Sequence, residues 1–251
     1  MGREWKTEWI KVRYRHLGLL LTAFLGLIFL WSTWGLGKSD PSEIQDGYRM
    51  LFLQMPLINT VLLPTMIAML SSRLCDAEIK GDTLKLLCTL EKKGRLFDIK
   101  YAMGAWYLAL FVGAQVGMVF LIGKLYGFVR PLEPIHLVFL VVEIYLPSLV
   151  ILLLQQILSL FCENQIFPLG VGIFGSFVGL FSWFFPGNPL RVLFLWAYYA
   201  LLGFINYTWD EETRIMSFYN VSMSVPAVII LMVVLVGGYR LCRYMFLRKE
   251  I

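Results

Sequence analysis

The chain has 251 residues, of which 59% are apolar or aromatic and only 16% charged, with a mean hydropathy of +0.71. A soluble domain carries roughly 25% charged residues and must show water a polar face, so a water-soluble fold is excluded and lipid is the solvent that accommodates this composition. The net charge of +5 is not gathered on one polar face, as nucleic-acid binding requires; it sits in short segments between apolar runs, so no nucleic-acid partner is expected.

The first 16 residues place Trp5, Trp9 and Val12 on one helical stripe with Lys6, Lys11, Arg13 and Arg15 mostly off it, which predicts an interfacial helix on the inner leaflet. Uncharged runs long enough to cross a bilayer follow at 17–37, 50–72 and 101–123. A fourth, 135–162, is broken only by Glu143, and further runs lie at Asn164–Leu190, Val192–Trp209 and Ile215–Tyr239. No A-x-A-like site follows the first run, so it reads as an anchor, and no run alternates with a period of two over ten residues, which argues against a β-barrel.

Charge decides which runs cross. If 192–209 stays on the outer side, 16 of the 22 Lys and Arg residues face the cytoplasm; if it crosses, only 13 do. The expectation is therefore an all-α polytopic membrane protein, a single transmembrane domain over 1–251. It has six spans (17–37, 50–72, 101–123, 135–162, 165–186, 222–244), both termini in the cytoplasm, and an outer segment at 187–214. Pro186 and Pro189 precede that segment's apolar run, Asp210, Glu211 and Glu212 follow it, and Trp196, Tyr198, Tyr199, Tyr207 and Trp209 enrich it, so it is predicted to be a re-entrant or interfacial helical segment.

Several fragments suggest chemistry and fail on spacing. Gly37-Lys38-Ser39 resembles the end of a phosphate-binding loop, but the glycine needed five residues earlier is Ser32. Glu211-Glu212-Thr213-Arg214 resembles the paired glutamates of intramembrane metalloproteases, yet the only histidines, His16 and His136, precede it at helix ends. Cys75, Cys88, Cys162 and Cys242 show no metal-ligand spacing, and all fall at expected cytoplasmic helix ends, so reduced thiols are predicted. Glu143, about eight residues into the fourth span, is costly at that depth and is a candidate for contact with a transported substrate. Asn59, Gln115, Gln155 and Gln156 are polar groups within spans that suit interhelical bonding, with Gln115 also a candidate for the substrate path. Gly113–Gly117 and Gly175–Gly179 are small-residue pairs that permit close helix approach.

The longest cytoplasmic connection, Arg73 to Lys100, is the most informative. Gly81 is expected to end the second helix and Asp82 or Thr83 to start a new one at 82–91, with Leu84, Leu87 and Leu90 on one stripe and Gly94 ending it. So short a helix needs something packed on its leucines. The pattern Glu78-x-x-Gly81-x-Thr83-x-x-x-Leu87, followed by Arg95-Leu96 and Lys100, resembles the coupling-helix loop of type-2 ABC exporter permeases. The six-span layout, interfacial helix and outer segment are similar to that family too, most of all to its lantibiotic-immunity permeases.

The resemblance implies a permease that hydrolyses nothing, without a cofactor or metal of its own. ATP and magnesium would be bound by a separate dimer of ABC ATPase subunits, and a second permease subunit, a different paralogue, would complete the exporter. Leu84 and Leu87 would give the apolar contact with the ATPase, Glu78, Asp82 and Lys85 its rim, and Gly81 and Thr83 the turn that starts the coupling helix. The substrate would be a cationic antimicrobial peptide expelled from the outer side of a bacterial plasma membrane, attracted by Asp210, Glu211 and Glu212. A non-transporting membrane scaffold or sensor, or an intramembrane hydrolase, are the alternatives.

Overall fold

The computed structural model describes residues 9–11, 15–37, 46–80, 93–211 and 216–249; within 77–80 it describes the backbone only. Six helices are long and apolar enough to cross a membrane: α1 (Leu17–Leu36), α2 (Gly47–Lys80), α3 (Lys93–Tyr126), α4 (Pro134–Phe161), α5 (Ile166–Phe184) and α6 (Val225–Arg248). Hydrogen bonds across helix ends place both ends of the described chain at one rim. Arg15 and Arg73 each donate to the other's carbonyl (2.7 and 2.9 Å), tying α1 to α2. Lys93 Nζ donates to Lys249 O (3.0 Å) and Lys249 Nζ to Leu160 O (2.7 Å), tying α6 to α3 and α4. His16, in the left-handed region at φ 52°, turns the chain into α1, a conformation histidine tolerates better than most residues.

α2 is the central helix, packed chiefly on α4 and α5. Pro56 and Pro64 each remove an N–H from its ladder, and nearby side chains bond backbone carbonyls there: Asn59 Nδ2 donates to Met55 O (2.8 Å) and Thr60 Oγ1 to Pro56 O (2.8 Å). α5 explains the close fit. Its buried face is Pro168, Gly172, Gly175, Ser176, Gly179 and Ser182, while Phe167, Phe174, Phe177, Phe181 and Phe184 point outward. A Cβ on Gly172 would lie 2.9 Å from Pro64 O, so the two backbones touch there. Between helices without a hydrophobic driving force, such contact is the main source of packing energy. α6 is the opposite case, with only Ala227, Leu231 and Phe246 buried.

One described boundary differs from the expected one. Gly94 lies in the first turn of α3 instead of ending a preceding helix; Arg243's guanidinium lies against it where a Cβ would stand 2.5 Å away. The expected coupling helix at 82–91 lies outside the described residues.

The outer segment is only half helical. After α5 the chain makes 3-10 turns at Pro189–Leu193 and Leu195–Ala197 and a single α turn at Tyr198–Leu201. It then forms a β-hairpin instead of the expected helix: β1 (Ile205–Trp209) pairs antiparallel with β2 (Met216–Asn220), with Ile205 opposite Asn220 and Trp209 opposite Met216. The helical part re-enters the bundle. Tyr199 bonds Ser148 (2.8 Å), and Ser148 stands midway along the 28-residue α4. Trp196 packs on Gly175 and Gly179 of α5, and Tyr198 and Leu202 pack with Leu146, Val150, Ala227 and Leu231. Among the described residues neither edge of the hairpin has a further strand, which hydrocarbon does not tolerate, so it stands in an aqueous or headgroup layer.

Candidate transport path and coupling face

At the end of the bundle that holds both described chain ends, α2 and α3 converge on the segment between them. Each is 34 residues, about 50 Å, against about 30 Å of hydrocarbon. Both helices therefore have about 20 Å more than a span needs. Lys100, 1% exposed, donates to Leu74 O (2.7 Å) and locks the two helix bases together. Gln156 on α4 donates to Phe97 O (3.0 Å). Asp98 on α3 takes two hydrogen bonds on one oxygen, from Tyr239 Oη (2.6 Å) and Arg243 Nε (2.8 Å) on α6. An apolar layer of Cys75, Leu96, Phe97, Leu153, Ile157, Leu160 and Phe246 fills the space between.

At mid-depth, Asn59 and Gln115 form a reciprocal amide pair between α2 and α3 (2.7 and 3.0 Å), both fully buried. Thr60 also receives Trp183 Nε1 (3.1 Å), and Thr65 meets Ser176 (3.3 Å), so α2 and α5 share a polar seam within their apolar contact. Gln155, its amide oriented so that the nitrogen donates to Pro168 O (3.0 Å), accepts the Gly172 N–H (3.2 Å).

At the outer end, Asp46, Tyr48, Arg49, Phe52, Arg130, Glu133 and His136 line a cavity of about 90 Å³. Asp46 pairs with Arg130, and Arg49 reaches Phe218 O (3.5 Å) in the hairpin. His136 is wedged against Phe52, Phe139 and Phe204, with Nε2 3.6 Å from Glu133 Oε2. Three elements, α2, α4 and the outer segment, thus meet at one imidazole.

The sequence-nominated residues fall as follows. Gly81, Asp82, Thr83, Leu84, Lys85 and Leu87 lie outside the described residues; Glu78 is in the last turn of α2 with its side chain undescribed. Gln115 is committed to Asn59. Glu143 is 1% exposed beneath the turn that ends the re-entrant part: a Cβ on Gly203 would lie 3.7 Å from its Oε1, and Oε2 has no hydrogen-bond partner. Asp210 and Glu211 are exposed at the hairpin tip, and Glu212 is outside the described residues. The Asp98 contact with α6 was not among the nominated positions; the only sign of it in the sequence is one acid in a markedly basic stretch.

Among the described residues no three His, Cys, Asp or Glu side chains gather where a metal could bind, and Cys75, Cys162 and Cys242 are free thiols; Cys88 lies outside them. The layout is a membrane bundle in which two long helices are fastened together at one end and a re-entrant segment packs into the other. Residues 5–179 match the family described as ABC-2 family transporter protein.

The chain belongs to the ABC-2 transporter family.

The match spans α1 through α4 and most of α5, so it covers both long helices that flank the 81–92 segment. No curated protein and no solved structure matches the chain. This permease is accordingly a multi-pass membrane subunit of an ABC transporter, a class whose transmembrane chains work with an ABC ATPase.

Proposed function

We propose that this permease is the membrane half of an ATP-driven exporter, with both termini in the cytoplasm, that expels a cationic antimicrobial peptide in the manner of lantibiotic-immunity systems. The observation that supports the motor contact is the pair of overlong helices: α2 and α3 are each longer than a span needs, and Lys100 binds their bases into one body. Leu84 and Leu87 then enter an apolar groove of the ATPase, with Glu78, Asp82 and Lys85 at its rim. ATP closes the ATPase pair, and the displacement biases the permease between two states.

The substrate reading has its own support. On one face of the hairpin Tyr207, Trp209 and Met216 are exposed, and Asp210 and Glu211 stand at its tip, a combination that suits a basic, amphipathic peptide. The outward Phe face of α5 is available to a second permease subunit.

Tagged permease is expected to bring down an ABC ATPase from solubilised membranes, and the double reversal Asp82→Lys with Lys85→Glu to release it. An ATPase retained unchanged by the reversal would sink the motor contact. Replacing Asp210, Glu211 and Glu212 by Asn or Gln is expected to weaken peptide protection more at low salt than at high salt, because charge steering is screened over about 10 Å at 0.1 M. Equal protection at both salts would end the peptide reading and leave the exporter reading intact.

A further inference from the structure

α6 is held differently from the other spans. Its outer two-thirds bury little beyond Ala227 and Leu231, and Gly237 has nothing within 4 Å. Its inner end is fastened to α3 at several points. Asp98 Oδ1 accepts from Tyr239 and Arg243, one turn apart on α6; Lys93 Nζ reaches Lys249 O; Phe97 packs on Tyr239 (5.8 Å) and Phe246 (5.9 Å), and Tyr101 on Tyr239 (5.4 Å). These groups sit on the first three turns of α3, immediately after the 81–92 segment.

The other end of α6 leads directly to the outer gate. Ser224 caps the helix, its Oγ accepting from Ala227 N (3.4 Å), and Val221 N donates to Phe204 O (2.8 Å), joining the strand before α6 to the end of the re-entrant part. β2 is paired along its length with β1, which continues from Gly203, above Glu143. A 24-residue helix is a stiff rod of about 36 Å. A rod fastened at one end, seated on α4 along one face with its other faces exposed, and continuous with the outer hairpin at the other end transmits displacement instead of absorbing it. Lys249 Nζ also donates to Leu160 O on α4, so the inner end is fastened to two helices.

We infer that α6 carries the movement of the ATPase-facing segment to the outer hairpin and re-entrant plug, and that Asp98 is the positioning residue that fixes this rod to α3. This inference rests on the exporter reading above.

The test uses the full permease with its ATPase in lipid discs, carrying Thr208→Cys on the exposed hairpin strand. The rate of modification at position 208 by a membrane-impermeant maleimide is measured with and without ATP and vanadate. In the parent, trapping the ATPase is expected to change that rate several-fold. Asp98→Arg alone and Arg243→Asp alone are expected to abolish the change while ATP hydrolysis and co-purification persist, and the two substitutions together to restore it. Tyr239→Phe, which removes a single hydroxyl, is expected to reduce it partially. A nucleotide-dependent change that survives in both single variants overturns the inference. So does a loss that the exchanged pair does not recover, since Asp98 would then be holding the fold and not relaying motion. A parent that binds no ATPase removes the exporter reading and this one with it.

Discussion

Asn59 and Gln115 illustrate how a polar side chain is read at the scale of one residue. Each amide has donors and acceptors that hydrocarbon leaves unpaired, and each supplies what the other lacks. Replacing either by Leu strands the other and is expected to cost about 1–3 kcal/mol, whereas replacing both costs far less. A thermal-unfolding cycle in detergent checks this; additive single losses would mean that the pair does not couple. The two small-residue pairs make the complementary point. At Gly175 and Gly179 a Cβ would stand 2.1 Å from Trp196 Nε1 and 2.5 Å from Thr60 Cγ2, while Gly113 and Gly117 have nothing within 4 Å. Alanine at either of the first two is therefore expected to destabilise by about 1–3 kcal/mol. At either of the second two it is expected to stabilise the isolated chain by up to about 1 kcal/mol through helix propensity. The same spacing in sequence thus carries opposite consequences, because only packing says whether a neighbour is present.

At the scale of elements, the outer segment tests what a pattern can reveal. Its proline flanks and aromatic content mark a segment that does not cross, and the re-entrant turns with Tyr199 at mid-depth agree with that reading. The hairpin was missed because Ile205-Asn206-Tyr207-Thr208-Trp209 alternates over five residues only, half the length of a membrane strand. The β-branched and aromatic content of those five residues was the signal available. Removing the Tyr199 hydroxyl by phenylalanine is expected to cost about 1 kcal/mol, and Trp196→Ala about 3 kcal/mol, since the half-buried indole is packed against Gly175 and Gly179 of α5. Equal effects from the two substitutions would mean that the plug is held by its polar anchor and not by its packing. The uncharged runs 50–72 and 101–123 are shorter than the helices that contain them, Gly47–Lys80, which stops where Gly81 was expected to end it, and Lys93–Tyr126. A hydropathy run stops at the first charge, but a helix continues for as long as its ladder and a neighbouring base, here Leu74 against Lys100, support it.

For the whole molecule, the orientation argument predicts labelling. Val129→Cys in the α3–α4 connection and Thr208→Cys in the hairpin are expected to react with an impermeant maleimide added to intact cells, and Glu163→Cys between α4 and α5 is not. Reversed reactivity would invert the protein and sink the coupling assignment. Composition and apolar run length determined that this chain lives in lipid, because transfer of twenty apolar residues into hydrocarbon outweighs any local preference, and the distribution of Lys and Arg selected six crossings from seven apolar runs. The permease family was legible as well: the match over residues 5–179 shows the family that the pattern around Gly81 and Thr83 resembles, while those residues themselves lie outside the described ones. Only the tertiary structure decided which polar groups are occupied with one another, which glycines are crowded, and that Asp98 grips α6. Those facts depend on which helix faces stand side by side, and in lipid, where every outward face is equally apolar, hydrophobic periodicity no longer says which way a helix turns.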